Sequence, residues 1–204
     1  MSQRLEQALA AIDAANAADP NEVVVDGVAR PKELLHAERM THWLHVLAPS
    51  PTEAQLLAAR AHHIRRWVSP RDTYPAGRAG YHRWRRDQRE RQAHEVGELL
   101  SSVGYERPEI EQVQAIVAKE GLGRDPLVQV HEDALCLVFL ELQFDELALQ
   151  LGDEHTIRVV RRTARKMSPA GLAATSAIGF TPRCERLLAA ALDSLGEPDG
   201  SPAA

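Results

Sequence analysis

An all-α fold, a single-domain irregular helical bundle, is predicted for this chain by three observations. Apolar residues recur at spacings of three and four along most segments, and helix starters and stoppers fall between those segments. No alternating strand series, heptad array or internal repeat interrupts the pattern.

The elements follow in order. Leu5, Leu9 and Ile12 mark an amphipathic helix ending near Ala18, and residues 1–20 are expected to pack it on the core. Val23, Val24 and Val25 form a short, extended loop. Pro31 is placed to start a helix in which His36, Met40, Trp43 and Leu47 share one face. Pro49 to Glu53 break the chain and cap a helix from about Pro51 to Val68, with Leu56, Ala59, His63 and Trp67 on one side. Residues 69–80 are rich in turn formers and read as an ordered loop whose Arg71, Tyr74 and Arg78 line a cleft. A long charged helix from Tyr81 to Val103 stops at Gly104. Pro108 to Lys119 supplies the next. Asp125 and Pro126 start a central apolar helix running to about Gln150, and Thr156 to Lys166 and Thr181 to Leu195 complete the helical domain, residues 21–195. The tail, residues 196–204, reads as disordered.

Size and charge bound the function. At 204 residues with 44% hydrophobic content, the chain can bury a sizeable core. Two cysteines, Cys136 and Cys184, and no charged-then-apolar leader point to a cytoplasmic protein. The longest apolar run, Ala134 to Leu140, is far short of the ~20 residues that span a bilayer, so no membrane partner is expected. The net charge of -5 hides a basic segment: Arg60 to Arg91 holds ten arginines against Asp72, Asp87 and Glu90, an excess of seven. Such a segment suits phosphate, or it is simply a solvated helix face.

The candidate chemistry begins at Asp133, which shares a helix face with Val130, Leu137 and Leu140. A carboxylate there is costly unless a cation or several donors satisfy it. His36 is flanked on its face by Met40 and Trp43, and His63 by Ala59 and Trp67, so three groups from three helices are expected to converge on the core. Imidazole nitrogen with carboxylate oxygen suits one divalent ion from the set Mn, Fe, Co, Ni and Zn better than calcium. Taken singly, each histidine is more often a core residue bonded to a carbonyl, and Asp133 is satisfied equally well by an arginine.

The order His36, then the pair His62 and His63, then Asp133 resembles the HD superfamily of metal-dependent phosphohydrolases, which are all-α. The resemblance implies that His36 matches the first histidine, His62 the histidine of the doublet, His63 its aspartate and Asp133 the terminal aspartate. His63 departs from that pattern, and an imidazole there favours softer ions such as Zn, Ni or Co. The strings HAERMTHWL, AARAHHIRRW, PRDTYPAGRAGYHRWR, HEDALCLVFLE and RKMSPAG resemble more closely the DUF4202 family, over residues 31–170.

An ion so held would acidify a bound water and polarise a phosphoryl oxygen. The expected activity is hydrolysis of a small phosphoester or nucleotide. Arg65, Arg66, Arg71 and Arg78 are the expected phosphate holders. His94 and Glu98, one turn apart, are candidates for a general base, a partner of a ligand or a second ion site; otherwise they are an exposed helix pair. Two other classes stay open. Trp67, Tyr74, Tyr81 and Trp84 interleave with the arginines as in RNA- or nucleotide-binding surfaces, and a metal-binding protein without catalysis fits the His63 departure.

Overall fold

The computed structural model describes residues 2–25 and 27–196, so the tail expected from residue 196 lies almost wholly outside the described residues. Helices dominate, as the periodicity predicts, and the chain divides into two units between His131 and Glu132. None of the described helices is long and apolar enough to cross a membrane.

In the first unit, helix α1 (Gln3–Ala17) starts at Ser2, whose side chain accepts from Leu5 N. It buries Leu5, Ala8 and Ile12 at spacings of three and four, and it contacts α2 (Lys32–Leu47), α3 (Glu53–Ala61) and α4 (Gly77–Ser102). Between α1 and α2 the valine run forms a small antiparallel hairpin, β1 (Glu22–Val25) and β2 (Val28–Pro31), with Val24 paired to Ala29. Thr52 and Gln55 start α3 with a reciprocal capping box. Helix α5 (Arg107–Ala118) packs extensively on α4 and α3 and ends at Lys119, which adopts φ 60°. The core joins Leu57, Ala61, Ile64, Val96, Leu100 and Ile116 with α1.

Ion pairs brace the rim of this core. Arg4 lies 2.6 Å from Glu109 and stacks 4.0 Å over the Tyr105 ring, while the Tyr105 hydroxyl donates to Glu53. Arg60 pairs with Asp13 across α3 and α1.

Helix α6 (Pro126–Leu142) carries the division between the units. The second unit adds α7 (Phe144–Leu151), α8 (Asp153–Ala164), α9 (Pro169–Ala174) and α10 (Pro182–Asp193). The single helix expected to run to Gln150 is two, because Gln143 leaves helical geometry at φ -127° and ψ -11°. Phe144 then turns inward against Phe180, ring centroids 5.7 Å apart. No glycine or proline marks that break, so apolar spacing alone reads through it.

Helix α3 is also shorter than its pattern suggested. It stops at Ala61, and the expected second half becomes a turn followed by 3-10 segments at Arg66–Val68 and Arg71–Thr73. Arg65 takes the left-handed conformation, φ 45°, and its N–H donates to the side chain of buried Asn16. The histidine doublet lies in the turn just before that bend.

Candidate metal centre

The turn after α3 is built from two sides. Asn16 on α1 holds Arg65 N, and a stripe on α4 takes up the exposed carbonyls. Trp84 Nε1 and Gln88 Nε2 both donate to Ser69 O, Gln88 Nε2 also reaches Arg66 O, and Arg91 donates to Ile64 O and Arg65 O. Residues 84, 88 and 91 lie on one helical face. Gly80 lets the first turns of α4 approach the loop, since a Cβ there would stand 1.9 Å from Pro75 O.

Held this way, His62 and His63 face His36 of α2. Their ligating nitrogens all lie within 4.8 Å of one another. His36 and His62 are buried, and His63 is nearly so. Burial pushes His36 down to about 3, with the charge of Arg66 adding to it. Burial and neighbouring imidazoles hold His62 and His63 well below the usual histidine range. All three are therefore neutral at pH 7 and carry a lone pair, the form that ligates a metal.

Two partners orient the doublet. His63 Nδ1 lies 3.1 Å from a Glu33 oxygen, and Glu33 shares a face of α2 with His36 three residues on. Desolvation raises Glu33 to about 7, opposed by Arg66. His62 Nδ1 lies 2.8 Å from Nε2 of buried His131 on α6, and burial holds His131 at about 3. One proton serves that pair of nitrogens. If His62 supplies it, its Nε2 is left as an acceptor.

The set is not pre-shaped for an ion in every respect. The rings of His36 and His63 stack with centroids 4.0 Å apart and planes at 16°, so their in-plane lone pairs lie in near-parallel planes. Arg66 donates to His63 Nε2. By contrast, His36 Nε2 is buried with no hydrogen-bond partner, an orphaned acceptor or donor that costs free energy as it stands.

The remaining expected residues have these places. Asp133 belongs to the second unit, where Ser168 N and Oγ donate to its two oxygens at 2.8 and 2.5 Å. Ser168 is the N-cap of α9, so Asp133 satisfies the start of that helix. Arg65 pairs with Glu95 at 3.1 Å. Arg71 donates to the carbonyls of Tyr74, Pro75 and Gly77, closing the loop on itself. Arg71 and Tyr74 line an open cleft of about 810 Å³, and Arg78 contacts His82 instead. His94 and Glu98 form an exposed pair, 3.5 Å apart, with side chains 74% and 69% exposed.

Glu33 and His131 escaped the sequence reading. Glu33 looks like an ordinary first-turn acid favoured by the helix dipole, and only its spacing of three from His36 carries a signal. His131 lies on α6 just before the apolar run from Ala134, but its partner is 69 residues away.

These features define a helical protein whose first unit holds a buried cluster of imidazoles. The chain belongs to the family described as Domain of unknown function (DUF4202), whose model matches residues 6–188. No curated protein and no solved structure matches it.

Proposed function

We propose that this protein binds one divalent transition-metal ion through His36, His62 and His63 and uses it to hydrolyse a small phosphoester or nucleotide. The observation that carries the reading is the convergence of three neutral imidazoles, one with an orphaned buried nitrogen. An all-nitrogen donor set selects Zn, Ni or Co over Mg or Ca. When bound, such an ion supplies Lewis acidity toward a phosphoryl oxygen and an acidified water. Glu33 and His131 act on the ligands, fixing which nitrogen of His63 and His62 carries the proton. Arg66, next to His63, is the arginine best placed to meet a phosphate.

A second reading, metal binding without turnover, is favoured by one observation. Arg65 and Arg71, two of the arginines expected to hold phosphate, are already engaged by Glu95 and by loop carbonyls.

Metal content and turnover test both. Protein purified without chelator and loaded with Zn or Co should hold one ion per chain, and His36→Ala and His63→Ala should each lose most of it while keeping helical circular dichroism. Unchanged metal in both variants overturns the site. Bound metal with no release of phosphate from p-nitrophenyl phosphate or a nucleotide panel leaves the binding reading and removes the hydrolase.

A further inference from the structure

His63 is the member of the cluster whose lone pair already meets a cation. Arg66 donates from Nη1 to His63 Nε2, so that nitrogen is the acceptor and Nδ1, facing Glu33, carries the ring proton. A guanidinium is a donor only and stays charged. It therefore takes the position on His63 that a bound ion would need. Glu33 attracts Arg66 from the far side of the ring, while the charges of Arg85 and Arg91 oppose it. Its guanidinium lies 4.7 Å over the Trp84 ring, a contact that an uncharged side chain would make less well.

We propose that Arg66 is an internal cation standing in the metal's place on His63, that a divalent ion binds only by displacing it, and that the freed guanidinium then binds phosphate, so that metal and phosphate bind cooperatively. The inference rests on the metal reading above. Like charges cannot share one lone pair, so each ion that enters must first turn Arg66 away. A phosphate that pairs with the displaced Arg66 offsets that cost. By linkage, phosphate tightens metal binding by the same factor as metal tightens phosphate binding.

The probe is Co(II), titrated calorimetrically and by its visible absorption, with and without inorganic phosphate. Wild type should bind Co(II) roughly tenfold more tightly when phosphate is present, within the usual range of coupling between sites. Arg66→Met, which keeps an apolar stem over Trp84, should bind Co(II) roughly tenfold more tightly than wild type without phosphate and show no phosphate effect. Arg66→Lys should retain the coupling. A wild type indifferent to phosphate overturns the inference even if Arg66→Met fails to fold, and so does a folded Arg66→Met with wild-type or weaker affinity. No Co(II) binding by any of the three proteins overturns the metal reading itself.

Discussion

Asp133 shows how one side chain can be placed correctly and still be open to two interpretations. Its burial is legible from Val130, Leu137 and Leu140 on the same face, and the side chain is 1% exposed. Its partners are not legible, because Ser168 lies 35 residues on at the head of a six-residue helix too short to show a period. Gly171 belongs to the same contact: a Cβ there would stand 2.6 Å from Asp133 Cγ. Gly171→Ala is expected to cost about 1–3 kcal/mol through that overlap. Ser168→Ala removes a cap and one donor to a buried carboxylate and is expected to cost about 1–2 kcal/mol. Urea unfolding of both variants checks this. Wild-type midpoints would mean that Asp133 is satisfied without Ser168.

Elements were readable where a period ran unbroken and unreadable where a tertiary contact cut it. The helix carrying His36, Met40 and Trp43 is found with all three buried. The helix expected through Val68 ends at Ala61, since Arg65 can bend left-handed only with help from elsewhere in the fold. That help is Asn16, buried in α1, whose side-chain Oδ1 is the acceptor for Arg65 N. A left-handed non-glycine residue is disfavoured by about 1–2 kcal/mol, so the bend holds only while its surroundings fix it. Asn16→Ala removes the acceptor and should destabilise by about 1–3 kcal/mol. Its more telling effect should be on the histidines. With the turn loosened, His62 and His63 lose their fixed directions, and Co(II) affinity should fall by roughly 10–100-fold, as for loss of a group that orients ligands. Unchanged affinity in a folded Asn16→Ala would show that α4 alone holds the turn.

At the scale of the molecule, the buried imidazoles set an acid limit. His36, His62, His63 and His131 all have folded-state pKa values pushed below their unfolded value near 6.5, two of them to about 3. Between pH 6.5 and 3 the unfolded chain therefore binds more protons at these four sites, and stability falls as pH falls. Glu33 acts oppositely: raised to about 7 in the fold from 4.5, it binds one proton more when folded, which favours the fold below pH 7. Four protons against one leaves a net of about three near pH 5.5, or about 4 kcal/mol per pH unit. Against a typical total of ~5–15 kcal/mol, the metal-free protein should unfold within about one to four pH units below 6.5. All four histidines lie in residues 1–131, and so do Trp43, Trp67 and Trp84. Tryptophan fluorescence should thus report a steep transition between about pH 5.5 and 3, while far-UV circular dichroism retains the helices of residues 132–196. His131→Leu, which removes one buried site, should flatten the transition by about 1.4 kcal/mol per pH unit. Fluorescence unchanged down to about pH 3 would mean that the imidazoles take up protons without leaving the fold.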